Sequence, residues 1–179
     1  MQALGPTEVV RAPSARALGA TMVALAVLGT GSTLLGGPTA VRTYAAPLVL
    51  FGLLGWAAFW RACVEVSDGG VRVVNTLRTV EVPWPALEEV EGRYGLRLRT
   101  AYGTVQAWAA QAPSGTQRAR GEPGPAAVRV QARLEALRAA GHLDDGRLER
   151  PDLRRTWHSG TLAGVAVLAV ATVVLPLLG

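Results

Sequence analysis

The sequence contains no lysine. All 18 basic residues are arginine, against 13 acidic ones, for a formal net charge of +5. A GC-rich genome produces such a bias, so it points to the source of the chain and carries no recognition signal. A basic balance can serve nucleic acid or an anionic lipid surface. In a chain with long apolar runs it marks the loops that stay in the cytoplasm, and no nucleic-acid partner is expected. Cysteine is nearly absent: Cys63 stands alone, which excludes an intrachain disulfide, and it reads as a structural thiol. The two histidines are His142 and His158. His142 has Asp144 and Asp145 nearby, but no further histidine or cysteine stands at ligand spacing. "GHLDDG" therefore reads as a solvated loop, and no metal or other cofactor is expected. The sequence offers no Ser/His/Asp, Cys/His or paired-carboxylate arrangement, so no catalytic activity is expected. The apolar runs carry no acidic residue, which argues against a proton path or a transporter. "GTGSTLLGG" (Gly29 to Gly37) lacks the lysine of a phosphate loop and lies within an apolar run.

What the chain has in quantity is apolar residues, 50% of the total, gathered near both ends of its 179 residues. One uncharged run extends from Ala17 to Val41, another from Thr43 to Trp60, and a third from Ser159 to Gly179. Roughly 20 apolar residues cross about 30 Å of hydrocarbon. A bilayer cannot hydrogen-bond exposed backbone, so each run is expected to be a membrane-spanning helix, over 17–37, 43–60 and 158–179. Pro47 and Pro176 read as lying near span ends. "LLGGPTAVRT" (Leu34 to Thr43), with Arg42, reads as the turn of a helical hairpin over 17–61. A signal peptide is disfavoured by the length of the first run and by the lack of a small-x-small cleavage site. Arg11 and Arg16 precede the first span, Arg61 follows the second, and Arg147, Arg150, Arg154 and Arg155 crowd the approach to the third. The positive-inside rule then puts the tail (1–16) and the middle of the chain in the cytoplasm, and the hairpin turn and C-terminus outside, in a multi-pass cell-membrane protein. Tyr44, Trp56, Phe59, Trp60 and Trp157 read as interfacial anchors. Gly160 and Gly164 form a small-residue pair suited to close helix packing.

Between the spans, residues 62 to about 112 alternate with period two. Val64 and Val66, then Val71 and Val73, then Val80, Val82 and Trp84 form inner rows, with Glu65, Arg72 and Glu81 outward. "SDGG" and "NTLRT" are turns. Val90 belongs to a further strand, "GLRLRT" (Gly95 to Thr100) to the next, with Arg97 and Arg99 outward, and "TVQAWAAQ" (Thr104 to Gln111) returns as the last. The sum is an antiparallel meander with one buried face. "APSGTQRARGEPGP" (Ala112 to Pro125) reads as a flexible loop. In "AAVRVQARLEALRAAG", Val130, Leu134 and Leu137 recur at helical spacing, flanked by Val128, and Gly141 suits the position after a helix C-cap. This α+β middle region spans 62–141, and 142–157 reads as an irregular charged tether to the last span.

A bent antiparallel sheet followed by one amphipathic helix is the pleckstrin-homology-like arrangement. "VEVSDGGVRVVNTLRTVEVPWPALEEV" (Val64 to Val90) resembles the bacterial PH-domain membrane protein family of actinobacteria. The matching features are the acidic-Gly turn at Ser67 to Gly70, the Asn-x-x-Arg turn at Asn75 to Arg78, the apolar-Pro-Trp step at Val82 to Trp84 and the acidic stretch at Glu88 to Val90. The resemblance implies a PH-like barrel on the cytoplasmic membrane and no chemistry. It also suggests an anionic-lipid or partner contact through Arg72, Arg78, Arg93, Arg97 and Arg99. The first hairpin turn departs from lipid-reading PH domains, since Asp68 stands where a basic residue would be wanted. Two roles follow. One is a scaffold at the inner leaflet, in contact with the bilayer and with an unidentified protein partner or a second copy. The other is an accessory subunit that stabilises a larger membrane transporter or enzyme complex.

Overall fold

The structure is a computed structural model that describes residues 7–108, 110, 115–143 and 152–178. In chain order, β1 (Glu8–Val10) precedes the helices α1 (Pro13–Leu35) and α2 (Gly37–Gly55), and a π-helical turn covers Trp56–Trp60. Six strands follow: β2 (Cys63–Ser67), β3 (Gly70–Val74), β4 (Arg78–Pro83), β5 (Leu87–Glu91), β6 (Leu96–Thr100) and β7 (Gly103–Ala107). Then come α3 (Gly115–Ala119), α4 (Pro125–Ala139), β8 (Arg154–Trp157) and α5 (Ser159–Val174). The chain divides into two compact units, one of Met1–Ala12 with Ala62–Thr156 and one of Pro13–Arg61 with Trp157–Gly179.

In the helical unit, Ser14–Leu35, Gly37–Trp60 and Ser159–Leu178 are long and apolar enough to cross a membrane. The hairpin turn is tighter than the sequence suggests. Only Gly36 interrupts α1 and α2, its N–H donating to the Thr33 carbonyl at 3.1 Å. Gly37 takes φ +79°, which a side chain would resist. Pro38 starts α2 rather than ending a helix, because an N-terminal proline has no N–H to lose there. Arg42 and Tyr44 therefore lie on α2 and not in a turn. Pro47 sits inside α2 and not near its end. It leaves the Thr43 carbonyl without its usual amide donor, a defect that membrane helices tolerate.

Small residues bring α1 and α2 together. A Cβ added at Gly52 would lie 2.7 Å from Ala26 Cβ, and one at Gly55 would lie 2.7 Å from Met22 Cβ. The pair singled out on the third span is used only in part. A Cβ added at Gly164 would lie 3.2 Å from Leu53 Cδ2, whereas one at Gly160 would meet open space. The intervals Gly52–Gly55 and Met22–Ala26 carried the tighter seam, without a GxxxG spacing to advertise it.

In the other unit the strands form two antiparallel sheets, not one meander: a five-stranded sheet in the order β1-β2-β3-β4-β8 and a three-stranded sheet β5-β6-β7. Alternation places Val64, Val66, Val71, Val73, Val80 and Val82 inside from the first, and Leu96, Leu98 and Val105 inside from the second. Burying each such side chain contributes about 1.5–3 kcal/mol. Helix α4 adds Ala126, Ala127, Val130 and Leu134, with Leu137 half-buried and Val128 exposed off the stripe. Gly141 follows the helix at φ +72°. Gly92 makes the seat for α4: a Cβ there would lie 2.6 Å from both Ala127 Cβ and Pro123 Cβ, and the Gly124 N–H donates to the Gly92 carbonyl.

The tail and the tether each contain a short strand that the sequence did not signal. The N-terminal tail supplies β1, which pairs with β2 from Glu8↔Val66 to Val10↔Val64. The tether supplies β8 on the opposite edge of the same sheet. The loop at 112–125 contains the short α3, and the tether's residues 144–151 lie outside the described residues.

Candidate functional site

The five arginines expected to make a contact surface are carried by both sheets and a turn. Arg72 lies on β3 of the five-stranded sheet, whereas Arg97 and Arg99 lie on β6 of the other. Each sits in a row with carboxylates. Arg72 faces Glu65 and Glu81 across the strands, and its guanidinium reaches them at 3.1 and 3.6 Å. Arg99 lies between Glu89 and Thr104 and pairs with Glu89 at 3.2 Å. Arg97 is opposite Glu91 and Gln106. An arginine near an anionic leaflet gains about 1 kcal/mol, and a carboxylate at the same depth opposes it by a similar amount. On these faces carboxylates stand opposite Arg72, Arg97 and Arg99. Arg78 begins β4, and Arg93 stands in the β5–β6 turn with its guanidinium 5.6 Å from the Tyr94 ring centre.

The acidic hairpin turn has an intramolecular purpose. Asp68 pairs with Arg133 of α4, and one turn earlier Arg129 pairs with Glu8 of β1. The charge that departs from lipid-reading PH domains is thus matched within the domain. Outside the β-strands' inner face, a hollow of about 450 Å³ is lined by Glu65, Ser67, Arg72, Glu81 and Arg154, among others, so both signs of charge border it.

The motif residues hold turns and join sheets. Trp84 is buried and its Nε1–H donates to the Ser67 carbonyl at 2.9 Å, which ties the Pro-Trp step to the first hairpin. Asn75 is buried as well. Its Nδ2 donates to the Gln106 carbonyl and its Oδ1 accepts from the Trp108 N–H, both at 2.9 Å. The β3–β4 turn is thereby clipped to the end of β7, across the two sheets. The sequence marked this asparagine only as a turn former.

Cys63 is buried, and burial, reinforced by Glu65, pushes its thiol pKa up. A thiol held protonated is a weak nucleophile. His142 is exposed after α4, while Asp144 and Asp145 lie outside the described residues. Among the described residues no group of three or more His, Cys, Asp or Glu is placed to hold a metal ion. In the helical unit, Arg61 donates to Thr161 Oγ1 at 3.0 Å, approaches His158 Nδ1 at 2.6 Å and stacks over Trp56. Arg16 stacks over Trp60. The anchors Trp56 and Trp60 thus sit on the π-helical turn with cations at their faces, Tyr44 is exposed on α2, and Trp157 closes β8.

The alternation also overran one strand end. β7 stops at Ala107, so Trp108 is not a strand residue and is 78% exposed. Leu77 and Tyr94 are exposed on the β3–β4 and β5–β6 turns.

No curated protein and no solved structure matches the chain. A family model described as bacterial PH domain matches residues 61–156. That span takes in β2 to β7, α4 and most of β8, and it exceeds half of the 179 residues. With two antiparallel sheets packed on one helix and a match of that extent, the chain belongs to the bacterial PH domain family.

Proposed function

We propose that this protein is a non-enzymatic, multi-pass membrane anchor for a PH-like domain, and that the domain docks a protein partner rather than reading anionic lipid. The observation that carries this reading is the matching of Arg72 and Arg99 by carboxylates, together with the Asp68–Arg133 pair at the first hairpin. Phosphate recognition wants converging unmatched cations. A surface that alternates sign, with a hollow bordered by both charges, suits a protein surface of complementary pattern. The distribution of arginines around the spans supports a cytoplasmic domain, an N-terminus inside and a C-terminus outside in the cell membrane.

An accessory role in a larger membrane complex is favoured by a different feature. An apolar groove of about 520 Å³ runs along the α1–α2 hairpin, bordered by Val23, Val27, Thr30, Leu53 and Trp56. The experiment that separates the two is purification of the full chain from its own membrane in mild detergent, with the spans intact or exchanged for unrelated ones. The scaffold reading expects a stoichiometric partner that survives the exchange. Loss of that partner with the spans would favour the accessory role, and recovery of the chain alone in both forms would overturn partner docking.

A further inference from the structure

The exposed residues Leu77, Tyr94 and Trp108 come from three separate segments that meet at one end of the PH-like domain. Asn75 joins the β3–β4 turn to Gln106 and Trp108 at 2.9 Å on each side. Leu96 pairs with Ala107, so the β5–β6 turn that bears Arg93 and Tyr94 lies at that same end of the three-stranded sheet. A Cβ on Gly95 would lie 4.0 Å from the Ala110 carbonyl, just beyond Trp108. The three apolar residues are 37%, 65% and 78% exposed, respectively. A large side chain left this open is informative when it is grouped with others.

The strand register says which end this is. Cys63 pairs with Val74, Val74 with Thr79, and Val10 lies opposite Val64. The β3–β4 turn is therefore at the end of the sheet where β1 finishes and β2 begins. Two of the domain's three links to the apolar helices leave from that end: α1 starts at Pro13 and the apolar helix before β2 ends at Trp60, while the third runs from β8 into α5. Two residues lie between Val10 and Pro13 and two between Trp60 and Cys63, and each such three-step link spans at most about 10 Å. The headgroup layer on one side of a bilayer is itself about 5–7 Å deep. The Ser67–Gly70 turn, where PH domains would present a lipid site, is at the opposite end of β2 and β3.

We propose that Leu77, Tyr94 and Trp108 insert into the headgroup–acyl boundary of the bilayer, as a further attachment of the domain besides its three covalent links. Trp and Tyr favour that boundary because a flat apolar ring and a polar N–H or O–H are both accommodated there. Arg93, stacked on Tyr94, offers a cation to the phosphates, and its stem can lie along the ring. The insertion is driven by apolar burial and needs no specific headgroup. It stands apart from the partner-docking reading, which concerns the outer sheet faces.

The test uses the full chain reconstituted into phosphatidylcholine vesicles. The protein has five tryptophans, so the Trp108 signal is taken as the difference between wild type and Trp108→Phe. Insertion predicts a blue-shifted difference spectrum, at least twofold quenching by lipids brominated near the top of the acyl chain, and shielding from acrylamide. Tyr94→Trp in the Trp108→Phe background provides a second reporter and should behave alike. A difference spectrum typical of water, with full acrylamide access and no bromolipid quenching, would overturn the proposal. So would shielding from acrylamide without bromolipid quenching, which would assign the patch to a second copy of the chain.

Discussion

At the scale of single residues, Asn75 clips the two sheets together. Its amide group satisfies one backbone acceptor and one backbone donor at the end of β7, while its own N–H donates to the Arg78 carbonyl. Leaving a buried donor or acceptor unpaired costs about 1–3 kcal/mol. Asn75→Ala is expected to lose that much, seen as a lower thermal midpoint of the domain transition, and to speed amide exchange at Trp108. Thr104→Ala, on the exposed face of the neighbouring strand, is the control and should stay within about 0.5 kcal/mol. Equal melting of the two variants would show that the clip contributes nothing. The sequence marked Asn75 as a turn residue because asparagine serves turns. Its reach to Gln106, 31 positions on, has no local signature.

At the scale of elements, α4 is held by two kinds of contact of unequal weight. Its ion pairs from Arg129 and Arg133 involve half-exposed groups, and such pairs contribute about 0–1 kcal/mol. Leu134 is buried against the sheets, and its truncation should cost about 2–5 kcal/mol. Urea unfolding followed by circular dichroism is therefore expected to show a small shift for Arg133→Ala and a large one for Leu134→Ala. A larger loss for the arginine would mean that the helix is seated by charge. What was legible follows from the same physics. Strands β2 to β7 and α4 bury one face and so print a period of two or 3.6 in the sequence. β1 and β8 have only three and four residues, sit at sheet edges and expose most of their side chains, so neither prints an alternation. The hairpin turn was overread because Gly36, Gly37 and Pro38 look like a breaker. In fact the glycines make the turn and the proline starts the next helix.

At the scale of the whole molecule, three apolar helices and a PH-like domain share one chain; the first strand of the domain runs closely into the first apolar helix, and the second strand follows closely on the second. The three long apolar helices were legible from hydropathy alone. The candidate site was less so. Outward arginines can be read from alternation, but whether a carboxylate stands opposite each depends on register, which only the folded sheets reveal. Arg72, Arg97 and Arg99 stand opposite carboxylates, and this underlies the proposal that the domain engages a protein and not anionic headgroups. Hydrogen–deuterium exchange of the full chain in nanodiscs, with pure phosphatidylcholine or with added phosphatidylglycerol, tests that claim most directly. The account predicts the same exchange in both lipids for β3, β6 and the Ser67–Gly70 turn. Slower exchange there in the anionic discs, restored to the neutral rate by Arg97→Gln with Arg99→Gln or by Arg72→Gln, would contradict it.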